Sequence, residues 1–301
     1  MYVPIAILSV AISCWFATPA HAWRTVIEST QIGEDNVAKD VAVDAAGDAY
    51  VVGSFYTSFD RDFAVVKLAG SDGSEVWRQT IPGLEIHALD QAHAVALDPT
   101  GDVIAVGYLD NGGIDRLVIK FRASDGLELW RSNPSPIGDD ELLAVAVDGS
   151  GDVFAVGFDN GGGERLLVEK IRGTDGAVLF SQTSSGTAGN RGLAVVVDGS
   201  GAPVVAGIRS IADEDFSVLK LPAGGGAPQW EVNIDGLVNG EDAARSLALA
   251  GSDVVAAGYL FRGPGGKDIV VAVDGDGGGH QIVRYRWRGA MASSCSRERM
   301  A

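Results

Sequence analysis

The stretch AVAVDGSGDVFAVGF (Ala144–Phe158), a Gly-rich gap and then LLVEKIRGTDGAVLF (Leu166–Phe180) decide the fold, because the chain repeats this cassette five times with small changes. A glycine ends the second apolar run at Gly53, Gly107, Gly157, Gly207 and Gly258. A lysine closes the third run at Lys67, Lys120, Lys170 and Lys220, with Val273 in that column of the last copy. An aromatic follows ten residues later at Trp77, Trp130, Phe180 and Trp230. A period of about fifty residues specifies a repeat architecture.

Within a cassette the apolar pattern has period two and its residues are β-branched or aromatic, as in Val103–Val106 and Val118–Phe121. Such runs, bounded by turn residues, are strands. The first two runs are joined by DAAGD (Asp44–Asp48), DPTGD (Asp98–Asp102), DGSGD (Asp148–Asp152) and the variant DGSGA (Asp198–Ala202). The third and fourth are joined by SDG or TDG at Ser71–Gly73, Ser124–Gly126 and Thr174–Gly176. Asp opens a turn and Gly supplies its positive φ, so both links are tight hairpins. Four antiparallel strands per cassette, here a to d, make the blade of a β-propeller. The expectation is an all-β chain with five such blades over residues 23–281 and an irregular Arg- and Ser-rich tail over 282–301. A ring could close by pairing a lone strand d at Trp23-Arg24-Thr25 with the last a-b-c unit. Gln281–Trp287 could instead form that strand, and a truncated larger ring is the other alternative.

The pattern V-D-x-x-G-D-x-x-x-x-G, then V-x-K-L and D-G-x-x-x-W, resembles the β-propeller repeats of secreted and surface bacterial proteins over nearly all of residues 36–273. The Gly-x-x-x-Trp element (Gly73/Trp77, Gly126/Trp130, Gly226/Trp230) is similar to the tryptophan-docking motif of pyrroloquinoline-quinone-type propellers. That resemblance implies blade-to-blade packing for Trp23, Trp77, Trp130, Phe180 and Trp230. Quinone-dependent dehydrogenases of this kind are larger and many set adjacent cysteines against the cofactor. This chain has none, so the resemblance does not carry the cofactor over.

The first 22 residues hold no Lys, Arg, Asp or Glu, and an apolar core from Ile5 to Ala17 precedes Ala20-His21-Ala22. This is the layout of a secretory signal, with a core too short to span a bilayer. A basic residue near Met1 is missing, and a rival reading takes Cys14 as a lipid-attachment cysteine. Cleavage after Ala22 leaves Cys295 alone, which excludes an intrachain disulfide and suits an oxidising compartment. No later segment reaches transmembrane length, so the expected location is secreted, periplasmic or at the cell surface. The formal net charge is −17, although five arginines crowd the tail. So acidic a body excludes binding nucleic acid or anionic membrane by net charge, and suits a basic protein or cationic ligand.

Alignment of the cassettes exposes two polar columns. Asn36, Asp90, Asp140, Asn190 and Asp242 precede strand a, where they either set the loop by bonding backbone two residues on or ring the mouth of the central channel. Asp62, Asp115, Asp215 and Asp268 open strand c, with Glu164 one step out of register. Both columns fall on the face of the d–a and b–c loops, where propellers usually bind ligands. Clustered carboxylates are what hard cations such as Ca²⁺ select. No loop carries a dedicated calcium pattern, and DGDGGG (Asp274–Gly279) is a fragment of one. Calcium is therefore the one cofactor the residues admit, and none is required. The lysine column reads as snorkelling or pairing with a nearby acid.

Signals for catalysis are thin. His87, His93 and His280 are too scattered for a metal cluster, and neither a Gly-x-Ser-x-Gly elbow nor a Cys–His pair occurs. Gly-rich stretches such as Gly161–Gly163 sit between strands and not before a helix, which argues against phosphate binding. The expected function is a non-catalytic, monomeric, exported propeller that binds a partner through its acidic loop face. The alternative is a propeller enzyme (a quinone-dependent oxidoreductase, lyase or hydrolase) with its site at the channel mouth.

Overall fold

Each cassette becomes one antiparallel sheet whose strand order follows the chain. The computed structural model describes residues 23–27, 36–57, 60–85, 89–133, 138–184, 189–210, 214–236, 240–261, 266–274, 281–288 and 292–299. The secretory-signal reading of residues 1–22 and the histidines His87 and His280 lie outside them. Blade 1 comprises β1 (Val37–Val43), β2 (Ala49–Thr57), β3 (Asp60–Leu68) and β4 (Glu75–Ile81). Blade 2 is β5 (Gln91–Leu97), β6 (Val103–Asp110), β7 (Ile114–Phe121) and β8 (Glu128–Ser132). In blade 3 these are β9 (Glu141–Val147), β10 (Val153–Asp159), β11 (Arg165–Ile171) and β12 (Val178–Thr183). Blade 4 holds β13 (Arg191–Val197), β14 (Pro203–Ser210), β15 (Glu214–Lys220) and β16 (Trp230–Ile234).

Blade 5 departs from the pattern. Its sheet has five strands, β17 (Ala243–Ala250), β18 (Asp253–Phe261), β19 (Lys267–Asp274), β20 (Gln281–Arg288) and β21 (Ala292–Arg299). Residues 282–299 are thus paired strands and not an irregular tail. The period-two apolar positions Ile282 or Val283, Tyr285 and Trp287 carry β20 despite the arginines between them. Because β20 pairs with β19 as strand d, the Trp23 segment does not complete this sheet.

The strands a (β1, β5, β9, β13 and β17) pack against one another in chain order and line the axis. Among the described residues no comparable contact joins β17 back to β1, so the five blades form an open arc. Apolar side chains fill each junction between blades. Tyr50, Val52, Phe63 and Trp77 meet Val103, Ala105, Leu117 and Phe121. The same columns repeat at the blade 2–3, 3–4 and 4–5 junctions. Fully burying such side chains stabilises the fold by roughly 1.5–3 kcal/mol each.

The glycine column has a steric cause. A Cβ on Gly107 would fall 1.9 Å from the carbonyl oxygen of Gln91, where β5 bulges between Ala92 and Ala94. Only glycine lets strand a approach strand b this closely.

The lysine column pairs. Lys120 Nζ lies 2.6 Å from Asp98 and donates to the carbonyl of Gly173 in the next blade at 3.2 Å. Trp130 Nε1 donates to that same carbonyl at 2.9 Å. Lys170 and Lys220 meet Asp148 and Asp198 at 3.1 and 2.6 Å. In blade 1 the Tyr50 hydroxyl occupies Asp44, and Lys67 turns to Asp48 at 2.9 Å. The acids also organise their own turns, as Asp98 accepts the N–H groups of Thr100 and Asp102.

Candidate functional site

The residues before strand a are committed to the backbone. Asp90, Asp140, Asn190 and Asp242 are at most 1% exposed, and Asn36 is half-buried. Each accepts the N–H of a residue at the far end of strand b in its own blade. The pairs are Tyr56 to Asn36 at 2.9 Å, Asp110 to Asp90 at 2.6 Å and Asn160 to Asp140 at 2.8 Å, then Ser210 to Asn190 at 2.7 Å and Phe261 to Asp242 at 2.5 Å. The sequence reading placed these bonds two residues on or left the side chains free around the mouth. The partner lies instead 19 or 20 residues away, because the a–b hairpin brings the end of strand b back beside the start of strand a. The second oxygens of Asp90 and Asp242 accept from Gly83 and Gly236, in the segments that leave the preceding blades. Burial pushes Asp90 up to about 6, against the N–H groups of Asp110 and Gly83, with Asp62 and Asp110 adding to the rise.

The column that opens strand c is divided. Asp62 is buried and its Oδ2 accepts from Thr57 at 2.7 Å, while Oδ1 is buried without a partner. Asp115 is half-buried and accepts from Asn111 at 3.0 Å. Asp215 gathers with Asp235 and Asp242, and their ligand atoms lie within 4.8 Å of one another. This oxygen-only trio at the blade 4–5 junction is the set among the described residues that could hold a cation. The Asp268 side chain lies outside the described residues. Glu164 is clamped by Arg191 through both guanidinium Nε and Nη2. The two columns therefore meet inside the blade junctions more than on an open face.

A different group assembles on the inner strands, one that the sequence reading dispersed. His93 is the extra residue of the β5 bulge, which re-aims its side chain. Its Nε2 lies 3.5 Å from Glu141 Oε2 of blade 3, and its ring stands 5.5 Å from that of Tyr108. Burial, reinforced by Glu141, Asp90 and Asp110, raises the Tyr108 hydroxyl above its ordinary range. The available signal was positional. Glu141 directly follows the Asx column and His93 stands three after it, so neighbouring blades place both at one level.

Sequence reading also missed a buried ionic triad between blades 2 and 3. Arg116 donates to Asp140 at 2.7 Å and to Glu169 at 2.9 Å, with all three buried. Arg116 replaces the phenylalanine of Phe63 and Phe216, and Glu169 replaces the apolar residue of Val66 and Leu219. Two polar exceptions in columns that face each other were the legible sign.

The tryptophan column docks blade on blade. Trp23, Trp77, Trp130 and Phe180 lie over Gly73, Gly126, Gly176 and Gly225 of the blade that follows. The indoles of Trp23 and Trp77 donate to the carbonyls of Gly70 and Ala123, both at 3.0 Å. Repeats of this form identify a family, described as outer membrane protein assembly factor BamB, whose pattern matches residues 17–261. The chain belongs to that PQQ-type propeller family. No curated protein sequence matches it.

Solved structures also resemble the chain. The quinohemoprotein alcohol dehydrogenase of Comamonas testosteroni is 15% identical with a TM-score of 0.53, covering 82% of this chain and 41% of its own. The quinohemoprotein alcohol dehydrogenase ADHIIG of Pseudomonas putida HK5 is 13% identical with a TM-score of 0.49 at the same coverages. This chain spans less than half the length of either. A quinone that carries several carboxylates needs free cations at the axis. Here the arginines of the inner strands, Arg191 and Arg245, are held by Glu164 and Glu241. Neither of these two arginines is therefore a free cation for such a cofactor.

Proposed function

We propose that this member of the family is a non-catalytic scaffold of the cell envelope, exported, that holds a basic protein against its d–a and b–c loops. The observation that carries this reading is the commitment of the Asx column to backbone amides, which leaves no catalytic carboxylate there. Glu85, Asp139 and Asp235 stay exposed on the same side, among the half-buried Asp110, Asp115 and Asp159. A chain of net charge −17 adds long-range attraction for a basic partner and repels anionic surfaces. Among the described residues no helix is long and apolar enough to cross a membrane. The family's namesake is an assembly factor of outer membrane proteins, which agrees with a scaffolding role. The test is calorimetric titration of the chain with a cationic peptide across ionic strength. Binding that weakens with salt, and falls when Glu85, Asp139 and Asp235 are changed to lysine, supports the reading. Binding that ignores all three changes overturns it.

The His93–Glu141–Tyr108 group favours a second reading, an enzyme with its site on the inner strands. A carboxylate can orient the imidazole of a general base, and Glu141 stands 3.5 Å from His93 Nε2, close to it without a hydrogen bond. Turnover of an ester, lyase or alcohol substrate that disappears in His93→Gln would establish it, and activity equal in that variant would dismiss it.

A further inference from the structure

We propose that the flank of blade 1 that no described blade covers is a docking face for a second copy of this chain, covered by that copy's fifth blade. Every junction within the arc presses one type of blade face onto another. Strand b supplies two residues to the face toward the following blade, one and three positions before the column glycine. Ile104, Val106, Phe154, Val156, Val204 and Ala206 hold these places and are 0% exposed. In blade 5 the same places belong to Val255 and Ala257, which are only half-buried, and Ala248 beside them on β17 is exposed.

Blade 1 shows the complementary defect. On strand a of the face toward the preceding blade, Val95 and Val195 are 7% exposed, whereas the equivalent Val41 is 56% exposed and Val43 is 60% exposed. On strand b, Ala105 and Ala155 are sealed, whereas the equivalent Val51 is half-buried. Val51, Phe55 and Leu68 line an apolar groove of about 250 Å³ with Trp23, Ile27 and Val37. The Trp23 segment holds the outer rim, since its indole is docked on Gly70 and Gly73 as the tryptophan of a preceding blade would be. An incoming blade is therefore needed over the inner strands, where the exposed valines lie.

The two flanks are the donor and acceptor halves of one interface that the chain already builds four times. Among the described residues its own fifth blade makes no comparable contact with the first. A contact between unlike faces is heterologous, and it propagates head to tail until the rotation closes. The driving force is apolar. Since both copies carry a charge of −17, added salt should strengthen the association, the reverse of the basic-partner binding proposed above.

Sedimentation velocity on the full chain tests this, using Val41→Asp on the first flank and Ala248→Asp on the last. Both positions are exposed, so neither change disturbs a packed core. The wild-type chain should associate with rising concentration, and each variant alone should sediment as a monomer. An equimolar mixture of the two variants should form a dimer, because one contributes an intact fifth blade and the other an intact first. A wild-type chain that stays monomeric at every concentration, whether through closure on itself or a different partner, overturns the proposal. So does a mixture that remains monomeric.

Discussion

Trp77 lies across Gly126 of the following blade so closely that a Cβ on the glycine would fall 2.8 Å from the indole. The glycine is also held at φ 72°, a conformation that side chains with a Cβ rarely adopt. Gly126→Ala should therefore cost roughly 2–5 kcal/mol, combining backbone strain with overpacking. Gly101 provides the control, because its φ is 89° yet no atom lies within 4 Å of a Cβ placed there. Gly101→Ala should cost only the strain, about 1–2 kcal/mol. Equal losses in urea unfolding would show that the docking contact contributes nothing.

The neighbouring docking residue separates ring burial from hydrogen bonding. Trp130 is 8% exposed and its Nε1 donates to Gly173. Trp130→Ala should lose about 3–5 kcal/mol through the cavity left behind. Trp130→Phe should lose about 1–2 kcal/mol, mostly from the missing donor and the smaller ring, since Phe180 already serves in that column. Thermal unfolding of the two variants gives the comparison.

These contacts show how far the sequence reaches. The blade, its two hairpins and the docking aromatics were legible because each needs a residue type at a fixed place: Gly107 for a close approach, Asp98 for a turn, Trp130 for an indole over glycine. The polar columns were legible as positions but not as roles. Asp90 accepts an amide 20 residues away, a bond set by tertiary register. The His93–Glu141 contact was hidden similarly, since a bulge in one blade and the start of a strand in the next create it. Strand β20 was legible as an alternative strand d at Gln281–Trp287, whereas β21 was missed because Ala292–Arg299 carries no apolar period-two pattern.

The lysine–aspartate pairs predict a weakness toward acid. Although burial opposes it, the Lys120 ammonium and Thr100 hold Asp98 below its ordinary range, and the same balance with Lys170 and Lys220 lowers Asp148 and Asp198. A carboxylate with a depressed folded pKa stabilises the native state above its unfolded value near 3.8, and that stability is lost as pH falls through the folded pKa. The fold should weaken steeply below about pH 4. Lys120→Met leaves Asp98 buried without its cation and should cost about 3–5 kcal/mol at neutral pH. Its acid-unfolding midpoint, followed by tryptophan fluorescence, should move upward; an unchanged midpoint would mean that the pair is neutral to stability.

Asp90 has the opposite sign. Its folded pKa of about 6 exceeds the 3.8 of a free aspartate, so its contribution is fully present below 3.8 and lost as pH rises through 6. Asp90→Asn removes the ionisation while keeping the acceptor for the Asp110 amide, as Asn36 and Asn190 do in their blades. The fall in wild-type stability between pH 4 and 6 should flatten in the variant. A chemical-denaturation series over that window with equal slopes for both proteins would place the charge elsewhere.

Arg116 bears on how blade 2 recognises blade 3. It is shared by two buried carboxylates, so the triad carries a net negative charge, and its own Nε and Glu169 Oε2 lack partners. Burial already raises Asp140, while the Asn160 amide and Arg116 oppose the shift. Removing the arginine alone as Arg116→Phe should cost about 3–5 kcal/mol, because both carboxylates lose their cation. Adding Glu169→Leu restores the apolar columns of the other blades and removes one stranded charge. The double variant should regain at least half of the loss, with a coupling energy of about 1–3 kcal/mol. That coupling would identify the triad as a matched substitution, in which a charge in one blade is tolerated because its neighbour carries the complement. Additive losses would instead show that Arg116 serves Asp140 alone, and that Glu169 reaches its place without regard to the arginine opposite.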